Sequence, residues 1–438
     1  MTTLATSIRR LVVVAAIVCA GCAAVRAQQR WVGSWASSQQ LVEPDNSLPA
    51  ADLNDVTLRQ IVHLTIGGSE LRLHVSNRYG TAPLHIASAH IALPAARDAS
   101  RIIPESDRLL TFSGRESMAI PAGADYLSDP VSYSVTPLSD LAVTIHLDRL
   151  PTDQTGHPGS RATSYLVHGS QVAAVNLSDA KQIEHWYFIE GIDVHAADTT
   201  TAVVILGDSI TDGHGATTNG NDRWPDVLAR RLQAAPQSRM VAVLNHGIGG
   251  NRLLLDGLGP NALARFDADV IAQAGVAYLI VLAGINDIGM LGRTGDATIA
   301  QHQELVHDIV AAYEQIAARA HTHGIKVAGG TILPFMGSSF YHPGPESEAD
   351  RQAVNKWIRT PGHFDAIIDF DQIMRDPKDP VRLLPEFDSG DHLHPSPAGY
   401  AAMAAAVPVA FFVTATTPTP PQRPAARTSA RHQGPVDP

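Results

Sequence analysis

From Trp31 to about Ala197, apolar and polar positions alternate in short stretches. Val62, Leu64 and Ile66 are spaced by two, Gly67-Gly68-Ser69 supplies a turn, and Leu71, Leu73 and Val75 resume the alternation. A strand turns one face inward every second residue, so this pattern predicts half-buried strands and, across the glycines, a hairpin. Leu141, Val143, Ile145 and Leu147 keep the same period, as do parts of the stretch from Ile86 to Leu93. Several such stretches with turn residues between them predict a β-sandwich or jelly-roll domain over residues 28–197. His63 and His74 fall on sheet faces by the same spacing, and nothing in this half points to chemistry.

Past Thr199 the rhythm changes. Ala202 to Leu206 and Val241 to Leu244 are continuous apolar runs, and Tyr278 to Leu282, Val327 to Leu333 and Ala366 to Ile368 follow. Such runs suit strands buried on both faces of a parallel sheet. Between them Trp224, Val227, Leu228 and Leu232, and later Leu305, Val306, Ile309, Val310, Tyr313 and Ile316, recur at helical spacing. Strand alternating with helix predicts an α/β, doubly wound parallel-sheet domain over residues 198–414, with its site at the carboxyl ends of the strands.

The two ends differ from both halves. Arg9 and Arg10 precede an apolar stretch, Leu11 to Ala20, too short to span a bilayer, and Val25-Arg26-Ala27 offers small residues for cleavage. Residues 1–27 therefore read as a signal peptide, with a mature start at Gln28 and a secreted or periplasmic protein with no stable membrane insertion. Both cysteines, Cys19 and Cys22, lie in this segment, so the mature chain would hold no disulfide and no thiolate metal site. A lipid anchor at Cys22 is the alternative, although the aliphatic residue expected three places earlier is missing. The tail over residues 415–438 is rich in Pro, Thr, Ala and Arg and is expected to be disordered.

The chain has 438 residues and a formal net charge of -11, which repels phosphate backbones and argues against nucleic acid as a partner. Its 45% apolar and 17% charged content is that of a soluble globular protein.

Four segments, each at a predicted strand end or helix start, carry candidate chemistry. Gly207-Asp208-Ser209-Ile210 puts a serine on a sharp turn, where its N–H faces the crevice near a helix start. Asn245-His246-Gly247-Ile248-Gly249-Gly250 is a glycine-rich loop whose backbone can approach a substrate; it lacks the spacing of a dinucleotide site. Gly284-Ile285-Asn286-Asp287 ends a strand with a neutral amide donor. In Asp391-His392-Leu393-His394-Pro395 the aspartate and the second histidine, three apart, can share one face of a turn. The carboxylate then accepts the Nδ1 proton and leaves Nε2 free as a base. Ser396 and Pro397 start the final helix behind it. His392 points elsewhere on this reading.

Taken together, these segments resemble the SGNH (GDSL) hydrolase family over about Thr201 to Phe412. The resemblance implies Ser209 as nucleophile, Asp391 and His394 as its partners, and an oxyanion hole from Ser209, Gly250 and Asn286. The second block is its loosest match, with Gly249 a credible neighbour of Gly250. It implies an exported carboxylic ester hydrolase acting on short-chain acyl or O-acetyl groups, on a small-molecule or glycan ester, with no cofactor and no metal. A non-catalytic glycan-binding protein and an acyltransferase using the same residues are the alternatives. Other features read as structural: His302 and His307 lack zinc-site spacing, Asp208 and Asp287 bond turns and strand ends, and Trp35, Trp186 and Trp357 belong to the core.

Overall fold

A computed structural model describes residues 29–293, 295 and 297–413. The leader over 1–27, the alternative at Cys22 and the tail over 415–438 lie outside those residues.

The front half is built of antiparallel sheets. In the larger one Asn54–His63 lies between Asp140–Arg149 and Ser164–His168, and Leu84–Ala92 pairs with the far side of Asp140–Arg149. Leu141, Val143, Ile145 and Leu147 all enter the main core, as their period of two requires. Ala142 faces the other way and joins Ile61, Tyr165 and Leu177 in a smaller apolar cluster. A second sheet aligns Gln29–Ala36, Ile189–Ala197 and Gly68–Ser76. A short third sheet pairs Thr155–His157 with Gln40–Leu41 and Trp186–Tyr187.

The hairpin expected across Gly67-Gly68-Ser69 is not formed. Asn54–His63 and Gly68–Ser76 belong to different sheets, and residues 64–67 turn the corner between them. Leu64 and Ile66 are buried at this corner, and the Ser34 hydroxyl bonds the Ile66 N–H and carbonyl, so the corner is tied to the core. Alternation sets which face a residue shows and leaves the partner strand open.

The back half is a five-stranded parallel sheet. Its spatial order is Val241–Gly247, Thr201–Gly207, Val276–Leu282, Lys326–Gly330 and Ala366–Ile368. With the strands numbered along the chain this is 2-1-3-4-5, the flavodoxin-like doubly wound order, whose switch point lies beside the first strand. Gly207 is level with Gly247 on one side and Leu282 on the other, so three loops leave the sheet at one height. Trp224–Ala234 packs with Pro397–Ala406, and Ile299–Thr322 packs with Pro345–Arg359.

The front half covers the open edge of this sheet. Thr65 Oγ1 bonds both the N–H and the carbonyl of Val243 at 3.1 Å, occupying groups that an exposed edge strand would offer to another chain. The Gly33 N–H donates to the Ala274 carbonyl at 2.9 Å beside it. Among the described residues no helix is long and apolar enough to cross a membrane.

Candidate active site

The serine turn is built from its neighbours. The Asp208 carboxylate caps the short helix Ser209–Asp212 by accepting from the Ile210 N–H at 3.0 Å. Gly207 has to be glycine here, since a Cβ would stand 2.3 Å from Thr211 Oγ1 and 2.8 Å from the Leu282 carbonyl. Asp208 is fully buried, its second carboxylate oxygen has no partner, and burial pushes its pKa up to about 7.

Ser209 Oγ lies 2.8 Å from His394 Nε2, and His394 Nδ1 lies 2.6 Å from Asp391 Oδ2. The other oxygen of Asp391 accepts from the backbone N–H groups of His394 and Leu393 at 2.8 and 3.0 Å. Partial burial works against the Asp391 carboxylate. The hydrogen bonds from His394 outweigh it and hold the carboxyl well below its usual range. His392 turns away at a φ of 60° and pairs with Asp388 at 2.6 Å.

Gly250 follows the second strand and lines the crevice beside Ser209, and Asn286 follows the third strand behind Tyr341. Gly250 sits at a φ of 69°, where a side chain would be strained, and like the Ser209 N–H its N–H meets no acceptor among the described residues. Asn286 is buried. Its Nδ2 donates to the Asn251 carbonyl at 2.7 Å, and the Tyr341 hydroxyl donates to its Oδ1 at 2.5 Å. These two bonds fix which way the amide faces and leave one N–H of Nδ2 free. Asp287 accepts from the N–H groups of Leu253 and Leu254 at 2.9 and 3.1 Å, and burial pushes its pKa up to about 6.

Several residues at this centre carry no motif. Arg265, buried on the helix Ala262–Phe266, donates to the Gly207 carbonyl at 2.8 Å, the His246 carbonyl at 2.8 Å and Asn251 Oδ1 at 3.1 Å. One guanidinium thus ties the serine turn to the glycine-rich loop, and its charge is met by Asp269 at 2.6 Å. His157 comes from the front half. Its Nε2 lies 2.9 Å from Asp212 Oδ1, at the far end of the serine helix, and its Nδ1 lies 2.9 Å from the Ser38 carbonyl. Both ring nitrogens are thus engaged, and the ring bridges the serine helix to the front half.

His214 lies against His394, ring centroids 4.1 Å apart. Burial, then the neighbouring His394 and Arg161, push its pKa down to about 4, so it is neutral near pH 7. His214, Asp391 and His394 form the one group of metal-ligand side chains gathered within 4.8 Å among the described residues, and two of them are engaged with each other.

A cleft of about 760 Å³ opens over Ser209. Ser209, Gly250, Tyr341 and His394 form one wall, and Gln40, Asn46, His157, Arg161 and His185 of the front half form the other. The front half, which showed no chemistry in its sequence pattern, is a wall of the cleft. Trp35 and Trp186 pack edge to face, centroids 4.9 Å apart, in the core. Trp357 stacks on His363. His302 is paired with Asp350.

Residues 205–402 match the model of the GDSL-like Lipase/Acylhydrolase family. Similar solved structures include a catalytic mutant of an acetylxylan esterase from Geobacillus stearothermophilus, 20% identical, with a TM-score of 0.36, covering 47% of this chain and 91% of that one. A GDSL-like lipase from Bacteroides thetaiotaomicron is 21% identical, with a TM-score of 0.33, covering 47% of this chain and 84% of that one. No curated protein matches the sequence.

Proposed function

With residues 205–402 a domain of the GDSL-like lipase/acylhydrolase family, we propose that this carboxylic ester hydrolase works through Ser209, His394 and Asp391 by way of an acyl-enzyme. The observation that carries the reading is the unbroken hydrogen-bond chain from Ser209 Oγ through His394 to Asp391.

Asp391 holds the Nδ1 proton of His394, so Nε2 is the free base and faces the serine hydroxyl. His394 takes that proton as Oγ bonds to the ester carbonyl carbon. The carbonyl oxygen becomes an oxyanion, met by the N–H groups of Ser209 and Gly250 and the free Nδ2 hydrogen of Asn286. Each donor is worth on the order of 3 kcal/mol in such a site. His394 then hands its proton to the leaving alcohol oxygen as the C–O bond breaks. Water, deprotonated by the same nitrogen, releases the acid and restores Ser209.

The substrates on this reading are short-chain acyl or O-acetyl esters of a small molecule or a glycan, and nucleic acid is not a partner. The cleft is large enough for more than the acyl group, and the amides and imidazoles on its walls are suited to hydroxyl-rich alcohols. We also propose export, with cleavage before Gln28; N-terminal sequencing of secreted protein that finds Met1 intact, or a lipid on Cys22, removes it.

The deciding experiment is hydrolysis of p-nitrophenyl acetate and acetylated sugars by the protein and its variants. Ser209→Ala and His394→Ala each lower turnover by several orders of magnitude while folding persists, and the double variant is little worse than either. A Ser209→Ala protein that keeps its activity overturns the proposal.

A further inference from the structure

We propose that Arg161 forms a subsite for an anionic group, a carboxylate, on the alcohol half of the ester; this rests on the hydrolase reading above. Arg161 is the one lysine or arginine on the walls of the cleft, and it makes no ion pair with a carboxylate among the described residues. Two carboxylates of the cleft beside Ser209 are already engaged, Asp212 by His157 and Asp391 by His394. Across the cleft Glu43 is engaged by Gln40 and Asn46. Asp45, the remaining carboxylate of the cleft, is exposed, and none of the four lies within ion-pair distance of the guanidinium among the described residues.

Its hydrogen bonding is unfinished as well. One terminal N–H donates to His214 Nδ1 at 3.2 Å, while the buried Nε has no acceptor. The buried Nε is sealed from the cleft, but the terminal N–H groups not given to His214 remain as donors, and a carboxylate matches their fork. The backbone holds the residue in place. Arg161 adopts a φ of 49°, uncommon for a residue with a side chain, and its carbonyl accepts from the Asn219 N–H at 2.9 Å.

The position selects the half of the substrate. His394 must reach the leaving oxygen to protonate it, so the alcohol lies on the His394 side and the oxyanion donors lie across from it. Arg161 is one imidazole ring, that of His214, beyond His394. The matching substrates are acyl esters of hydroxy acids, including acid-bearing sugars.

Two matched measurements test this. The first compares kcat/KM for 4-acetoxybenzoate and 4-acetoxybenzamide. The second compares binding of 4-hydroxybenzoate and 4-hydroxybenzamide to Ser209→Ala protein by calorimetry, with no turnover involved. The carboxylate should be favoured about tenfold in both, as for a charge-assisted pair. Arg161→Gln should bring the ratio to about one, and Arg161→Lys should leave part of it. A ratio near one in the unaltered protein, or one unchanged by Arg161→Gln, overturns the proposal. A protein that hydrolyses neither ester but still binds the benzoate through Arg161 sinks the hydrolase reading and keeps the subsite.

Discussion

Replacing His157 with alanine should damage both stability and catalysis, although the residue lies in the front half and carries no motif. The side chains of His157 and Asp212 are 4% and 3% exposed, so the variant leaves a buried carboxylate facing a void. Leaving a buried polar group without its hydrogen-bond partner costs roughly 1–3 kcal/mol, more where the group is a carboxylate. Water entering the gap would put the loss at the low end. Asp212 ends the helix that Ser209 begins, and the N–H groups of Gly213 and His214 both donate to the Ser209 carbonyl at 2.9 Å. A shift of Asp212 therefore reaches the nucleophile, and misplacement of that kind costs on the order of a hundredfold in turnover. Urea unfolding followed by tryptophan fluorescence measures the first effect and p-nitrophenyl acetate turnover the second. The discriminating step is a cycle with Asp212→Asn. With no carboxylate to strand, His157→Ala should cost less by roughly 1–3 kcal/mol. Equal losses in the two backgrounds would refute the pairing argument and leave only lost packing.

Other outcomes follow from the same geometry. Burial raises the Asp208 pKa to about 7, so in the window up from the ordinary carboxylate value near 4 the folded state keeps a proton that the unfolded state releases. Its contribution to stability is full below that window and lost as pH rises through it. Asp208→Asn, which keeps the capping oxygen, should gain on the unaltered protein between pH 4 and 7 in urea midpoints; a constant offset refutes this. Asn286→Ala should lose on the order of a hundredfold to a thousandfold in kcat with KM little changed. Tyr341→Phe, which frees the amide to turn, should show a smaller loss of the same kind, and a pure KM effect in either would contradict the oxyanion role. His392→Ala, removing an exposed ring paired with Asp388, should leave ester turnover within about twofold, as surface changes do.

The parallel sheet and the places of the candidate residues at its strand ends were within reach of the sequence for one physical reason. A strand buried on both faces leaves a continuous apolar run, and the residues after each run are at the carboxyl edge, where a doubly wound sheet presents its site. Ser209, Gly250 and Asn286 each follow such a run, and the structure brings Ser209 and Gly250 into one cleft with His394 and Asp391. The front half hides its contribution. In half-exposed strands polar residues are expected at every second position, so His157 looks like any sheet-face histidine. Arg161 lies in an irregular stretch with no signal, and its lack of an ion pair depends on where the cleft's carboxylates are placed. Arg265 is invisible for a related reason, since a buried arginine is recognisable only by the carbonyls around it. The misplaced hairpin belongs here too, because both sheets bury one face and a strand can serve either.

The docking of the front half on the open sheet edge also sets the tempo of folding. Gln29–Ala36 is the first described strand, yet it pairs with Ile189–Ala197, and the carbonyl that receives the Gly33 N–H belongs to Ala274. Neither partner exists while the first part of the chain is being made. Contacts so far apart in sequence must close long loops before they yield anything, which slows folding. The docking of this first strand is therefore completed only after the first two strands of the parallel sheet have been synthesised. Active enzyme should appear late in refolding, after the bulk of the secondary structure has returned.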